Sequence, residues 1–281
     1  MNILSLFDGI SSGQIALQRA GIKVDNYYAS EIDKNAIKVT QHNWPNTVQL
    51  GSVVDVKAEN LPNIDVLLAG SPCQGFSFAG KQLNFEDPRS KLFFEFVRLL
   101  KECRPKYFLL ENVRMKKEYQ DIISNHLGVK PIEINSSLVS AQSRHRLYWT
   151  NIPNVALPQD RSIILYDILE LKPDIEIERN NKIVKVGEIK GGGQGNRIYS
   201  INGKGISLTA SSGGTASSGN MLINIPEGWE KYVPSNLPNF CDPYNKRELN
   251  GIKSTALRTN ANNGNMWIKF NGKYRNLTRI E

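Results

Sequence analysis

The sequence predicts a doubly wound α/β domain followed by a smaller, basic, glycine-rich part. Three observations carry this. Over roughly the first half of the 281 residues, short apolar runs alternate with longer helical patterns, the mark of a parallel sheet flanked by helices. Charge divides the chain: residues 1–179 carry 21 basic and 21 acidic side chains, residues 180–281 carry 14 and 6, so the net charge of +8 lies wholly in the second part. Glycine divides it too, with 14 of the 22 after position 180.

The elements follow in order. Strands are predicted at Asn2–Phe7, Tyr27–Ser30, Val48–Leu50, Ile64–Ala69, Tyr107–Leu110 and Glu133–Val139, each a short apolar run between turn residues. Ser12–Ala20 reads as a helix stopped by Gly21 at C′. Asp33–Trp44 opens on an N-cap residue and closes before Pro45. Ser90–Cys103 carries Leu92, Phe93, Phe96, Val97, Leu99 and Leu100 on one stripe and stops before Pro105.

A chain of this length can bury a sizeable core without staples. Its 40% hydrophobic and 22% charged residues exclude a disordered or fibrous protein. No apolar run reaches the 18 or so residues of a membrane span, and Met1–Asp8 has no basic leader, so a cytoplasmic protein without a signal peptide is expected. Cys73, Cys103 and Cys241 are odd in number and far apart, which suits a reducing compartment and offers no metal-ligand spacing; no metal is expected. The basic second part suits a polyanion, though a merely solvated basic surface has the same composition.

Open α/β sheets bind ligands beyond the carboxyl ends of their strands. Asp8-Gly9 follows the first strand, Glu31 and Asp33 the second, Asp55 the third, Ser71-Pro72-Cys73 the fourth and Glu111-Asn112 the fifth. Gly9 and Gly13 make a tight strand-to-helix turn that lets a ligand come close. The turn is neither a Gly-x-Gly-x-x-Gly nor a Walker sequence, and Glu31 stands where an acid takes ribose hydroxyls, so a nucleoside cofactor without a phosphate fits. A plain turn with a capping acid has the same residues. Cys73 sits on a stiff Gly-Ser-Pro-Cys-Gln-Gly loop and is placed like a nucleophile, although taken alone it is as readily structural. Glu111 ends an apolar strand, where burial would raise a carboxyl pKa and let it donate a proton. In Gln142-Ser143-Arg144-His145-Arg146 two guanidiniums share a face if the stretch is extended, suiting an anion or a carbonyl oxygen; a surface salt bridge is the alternative.

In this order the motifs resemble the DNA cytosine-5 methyltransferase family, from Asn2 to about Glu281. Phe7-Asp8-Gly9-Ile10 looks like its cofactor turn, Pro72-Cys73 its nucleophile motif, Glu111-Asn112-Val113 its acid motif and Gln142-x-Arg144-x-Arg146 its arginine motif. The catalytic part is closer to the animal de novo enzymes, through Phe7–Ile10 and Leu92–Phe96. Gly193–Ser200 resembles the recognition part of bacterial restriction–modification enzymes, so a prokaryotic or phage origin is expected. The resemblance implies a Rossmann-like S-adenosylmethionine-dependent methyltransferase domain over 1–155, a linker over 156–190 and a mostly β and loop target recognition domain over 191–270. It also implies the start of a return segment at 271–281.

It implies further that S-adenosylmethionine, leaving as S-adenosylhomocysteine, is bound by Phe7, Asp8, Gly9, Ile10, Glu31, Ile32, Asp55, Val56, Pro72 and Leu92. Cys73, Glu111, Arg144 and Arg146 would be catalytic. Gln142, Ser77, Gln194 and Arg197 would meet double-stranded DNA, Arg197 and Gln194 as readers of base edges, and the target cytosine would leave the stack. Two other functions share this layout: a tRNA cytosine-5 methyltransferase, and an inactive DNA-binding or split-enzyme subunit. In the family a further helical stretch and a Gly-Asn turn follow the segment like Tyr274–Glu281. The expectation is therefore a truncated chain or a split enzyme, completed by a second polypeptide and weak in cofactor binding alone. A partial echo of 202–223 in 250–268 suggests paired loop-and-strand units, though chance similarity accounts for it equally well.

Overall fold

The computed structural model describes residues 1–72, 88–169, 176–188 and 197–207, and the backbone of strands at 222–225, 255–260, 265–270 and 273–277. The chain divides into two compact units, Met1–Ile134 with His145–Leu157, and Asn135–Arg144 with Pro158–Glu281. Among the described residues no helix is long and apolar enough to cross a membrane.

The first unit alternates strand and helix: β1 (Asn2–Leu6), α1 (Ser12–Arg19), β2 (Asn26–Ser30), α2 (Lys34–Asn43), β3 (Val48–Gln49), β4 (Val66–Ala69), α3 (Pro88–Cys103), β5 (Tyr107–Val113), α4 (Lys117–Leu127), β6 (Ile132–Asn135) and β7 (His145–Thr150). The sheet order is β3-β2-β1-β4-β5-β7-β6. Pairing is parallel from β3 to β5, while β7 lies antiparallel to β5. Both faces are covered, as a parallel sheet requires. Leu4, Leu6, Leu67 and Leu110 join Phe93, Phe96 and Leu99 of α3 and Ile123 of α4 in one cluster. Ile3, Ala29 and Val66 pack with Leu17 of α1 in another.

Several local signals act as the sequence predicts. Asp33 caps α2 by accepting from Asn35 N (2.7 Å) and Ala36 N (3.1 Å). Gly21, at φ +68°, ends the turn after α1. The departures cluster in the later strands. The sheet is mixed rather than wholly parallel, because β7 inserts between β5 and β6. Its antiparallel register, Glu111↔Tyr148 through Val113↔Arg146, carries β5 three residues past the predicted end at Leu110, so Glu111 and Asn112 lie within the strand rather than after it. The strand predicted at Glu133–Val139 stops at Asn135, whose side chain accepts from Ser137 N (3.1 Å) and Arg144 N (2.9 Å) and turns the chain.

The second unit holds a six-stranded sheet in the order β13-β12-β11-β10-β9-β8: β8 (Lys185–Glu188), β9 (Arg197–Ser200), β10 (Leu222–Ile225), β11 (Thr255–Asn260), β12 (Asn265–Phe270) and β13 (Lys273–Leu277). Ile223 and Ile268, the apolar ends of the sequence echo, fall in β10 and β12. The stretch 156–190 carries more than linker: Ile164, Leu165, Tyr166 and Leu169 are buried with Ala141, Tyr199 and Ile201. Beside this core Lys204, 1% exposed, donates to the carbonyls of Ser137 (2.6 Å), Ser140 (3.3 Å) and Ile163 (2.5 Å). Burial pushes its ammonium below the ordinary lysine range.

Candidate active site

The strand order reverses between β1 and β4, and the crevice at such a switch point is where open α/β sheets take ligands. Two predicted segments flank it, Phe7–Gly9 after β1 and Gly70–Pro72 after β4. They are joined at their roots by Gly70 N donating to Leu6 O (3.3 Å).

The first turn is tightly coiled. Phe7, Gly9 and Ser11 all take left-handed conformations, at φ 56°, 60° and 61°. Two are not glycine, and such residues persist only where the surroundings over-determine them, often at ligand sites. Here Asp8 does so: its carboxylate accepts from the Ser11 hydroxyl and from Tyr27 Oη (2.8 Å). Gly13 has no alternative, since a Cβ there would lie 2.7 Å from Tyr27 Oη and 2.9 Å from Leu68 Cδ1. At Gly9 no atom of the described residues lies within 4 Å of such an atom, so these residues leave the space over the turn open.

Glu31 is held by backbone. One carboxylate oxygen accepts from Gly9 N (2.7 Å), the other from Ile32 N (2.7 Å) and Asp33 N (2.8 Å). A carboxylate has about four lone-pair sites, so the geometry leaves an acceptor for a ligand hydroxyl. Next to Gly9 and Glu31 in sequence stand two exposed apolar side chains, Ile10 (48%) and Ile32 (74%). An apolar platform, a hydroxyl acceptor and an open turn fit a nucleoside group such as that of S-adenosylmethionine. Asp55 is exposed on a 3₁₀ turn at Val53–Asp55, while Val56 is buried and Phe7 and Leu92 are half-buried against the core.

Across the switch point, Glu111 pairs with Arg146, Oε1 to Nε 2.6 Å. A Cβ on Gly70 would lie 3.4 Å from Glu111 Oε2, so the acid stands against the end of β4. Glu111 is 34% exposed and Arg146 15%, so an arginine, rather than the burial expected from the apolar strand, sets the environment of this carboxylate. The two arginines of the motif do not share one partner. Strand β7 begins only at His145, and Arg144, in the second unit, donates from Nη1 to Ser207 Oγ (3.0 Å).

Asn112 was read only as part of a motif. It is 2% exposed, and its Nδ2 donates to Ser71 Oγ (3.2 Å), clamping the loop that leads to Pro72. Its polar side chain inside an apolar run was the available signal. Arg98 was missed altogether. Its Nη2 donates to the carbonyls of Val53 (3.2 Å) and Val56 (3.0 Å).

Cys73, Ser77 and Gln194 lie outside the described residues. Gln142 sits in the second unit, bridged to Gly205, and Arg197 is exposed at the start of β9. Cys103 differs from a nucleophile: it packs against the core, and burial pushes its thiol up.

A family model described as C-5 cytosine-specific DNA methylase matches residues 1–156. Type II methyltransferase M.HhaI of Haemophilus parahaemolyticus is 30% identical over 260 residues, 80% of this chain and 79% of that protein. Orphan methyltransferase M.Rho11sI of Bacillus phage rho11s is 42% identical over 177 residues, 58% of this chain and 35% of that one. A solved DNA modification methyltransferase encoded within an E. coli prophage aligns with a TM-score of 0.51 at 27% identity, over 68% of this chain and 61% of that one. The chain thus spans less than two thirds of the phage and prophage proteins. Matched by that model over more than half its length, it belongs to the C-5 cytosine-specific DNA methylase family, whose reaction is methylation of cytosine at C5 in DNA.

Proposed function

We propose that the chain transfers a methyl group from S-adenosylmethionine to C5 of a cytosine flipped out of duplex DNA, through a transient bond from Cys73 to C6. Family membership supports the reaction. The observation that carries the assignment of residues is the Glu111–Arg146 pair, 2.6 Å long, set against Gly70 two residues before Pro72-Cys73.

Cytosine C5 is a poor nucleophile until C6 is attacked. The Cys73 thiolate adds to C6, and Glu111, holding N3 and N4, places a proton on N3 as the ring takes up the electron pair. Arg146 holds O2 and keeps Glu111 in place. When bound, S-adenosylmethionine would supply an electrophilic methyl group to the activated C5, its sulfur keeping the bonding pair so that S-adenosylhomocysteine is left. A base or water then removes the C5 proton, the C5–C6 double bond re-forms, Cys73 leaves as thiolate and N3 returns its proton to Glu111. Glu31 takes the ribose hydroxyls of the cofactor and Asp55 its adenine side, with Ile10 and Ile32 as apolar walls. Gln142 and Arg144 serve the DNA backbone, and Arg197, with Gln194, reads bases.

Incubation of the full chain with labelled donor and duplex DNA, single-stranded DNA or tRNA tests this reading. Label in 5-methylcytosine of duplex DNA is expected; label only in tRNA, or none in any nucleic acid, overturns it. The Cys73→Ser variant should lose turnover while keeping cofactor and DNA binding, and turnover near wild type would remove Cys73 from the mechanism.

A further inference from the structure

Arg98 lies in the middle of α3. Glu95 and Glu102, three residues before and four after, receive its Nε (2.9 Å) and Nη1 (2.8 Å). These pairs fix the guanidinium plane on its own helix. Nη2, which also lies 2.8 Å from Glu95 Oε2, reaches beyond the helix as well and donates to Val53 O at 3.2 Å and Val56 O at 3.0 Å, 45 and 42 residues away in sequence.

Those carbonyls flank Asp55. Val53 opens the 3₁₀ turn and Val56 caps it. Val53 and Val56 are 5% and 4% exposed, so the turn is pinned from below by two buried side chains while Val54 and Asp55 face outward. Val53 O already accepts from Val56 N (3.3 Å) within the turn, and Arg98 adds a second donor to it while also reaching Val56 O. A planar guanidinium can serve two acceptors while holding two carboxylates, which a single ammonium does less well.

We propose that Arg98 is a positioning residue for the cofactor. It tethers the Val53–Asp55 turn to α3, so that Asp55 is presented at a fixed position after β3. This rests on the reading of Asp55 as the adenine-side contact. An ion pair on a helix surface contributes little to stability by itself. The effect of Arg98 therefore falls on ligand binding more than on folding.

The test is calorimetric binding of S-adenosylhomocysteine to the full chain, with thermal melting and steady-state kinetics beside it, for Arg98→Ala, Arg98→Lys, Asp55→Ala and the Arg98→Ala/Asp55→Ala double variant. Arg98→Ala should weaken binding about tenfold, a loss typical of one or two hydrogen bonds. It should raise the cofactor KM in step and lower kcat far less. Arg98→Lys should recover part of the loss. The double variant should bind no more weakly than Asp55→Ala, because coupled groups are not additive. Wild-type affinity in Arg98→Ala beside weakened Asp55→Ala overturns the proposal and leaves the Asp55 reading standing. A loss in the double variant equal to the two single losses combined also overturns it, as does a melting temperature and kcat that fall together with unchanged affinity. Wild-type affinity in Asp55→Ala overturns the reading of Asp55 and the proposal with it.

Discussion

The β1–β3 side of the catalytic sheet and the β4–β7 side hold their carboxylates by opposite means. Glu31 is gripped by three backbone N–H groups, all within two residues of itself or on the neighbouring turn. Glu111 is gripped by one side chain, Arg146, brought by an antiparallel strand 35 positions along the chain. Backbone donors are fixed once the fold is formed, so Glu31 suits a ligand bound the same way in every cycle. An arginine can shift its partner, so Glu111 suits a group that must exchange a contact, and a proton, as a base enters and leaves. Under the proposed function, cofactor binding falls on one side and chemistry on the other.

The largest expected effect tests that division. Glu111→Gln should lower kcat by about 10²–10⁴, the usual range for a positioned acid–base group, with cofactor affinity near wild type. Arg146→Ala should lower kcat too and raise the KM for DNA. If Glu111→Gln chiefly weakened cofactor binding, the two sides would not divide as argued.

Next in size is Glu31→Ala. It leaves three N–H groups to water or to no partner, and losing one satisfied set of this kind costs about 1–3 kcal/mol. Cofactor dissociation constants should rise by about fivefold at the lower end of that range and by about 140-fold at the upper end. At saturating cofactor kcat should hold, read by the same calorimetry and kinetics. A large fall in kcat with unchanged affinity would move Glu31 to the chemical side.

The same contrast explains what was legible in the sequence. The β1–β3 side is built from local rules: Gly9 and Gly13 in a turn, Asp33 capping α2, Gly21 closing α1. Each of these shows within a few residues. The β4–β7 side depends on pairing between distant segments. Nothing near Leu110 says that its strand continues, because β7 arrives from residues 145–150. Strand β7 itself was hidden under a motif read for its charges. Helix α4 begins at Lys117 with no side-chain cap, so only Gly128 at its end marked it. Arg98 was invisible for the same reason as β7, since its acceptors are backbone atoms of another segment, and carbonyls have no sequence signature. In the second unit, prolines at 158 and 173 suggested a linker, while Ile163–Leu169 between them supply apolar side chains to a core completed by residues near 200.

The smallest effect sharpens the comparison within the β1–β3 side, where one carboxylate is held by hydroxyls instead of backbone. Tyr27 is 4% exposed and donates to Asp8 Oδ1 at 2.8 Å. Burial first, and then the negative charge of Asp8, push its hydroxyl well above the ordinary tyrosine value, against a smaller opposing contribution from Ser5. The sign follows from the raised pKa. Below about pH 10, where an unfolded tyrosine is still protonated, the native contact contributes in full. Above it the unfolded chain releases the proton while the folded chain keeps it, so stability falls as pH rises. Tyr27→Phe should cost about 0.5–1.5 kcal/mol at neutral pH for the lost hydrogen bond. Its melting temperature should then decline less steeply than that of wild type between pH 10 and 11, because phenylalanine has no proton to release. The difference between the two curves isolates Tyr27 from the other tyrosines and the lysines. Parallel curves would mean that neither burial nor the charge of Asp8 holds Tyr27 protonated in the folded chain.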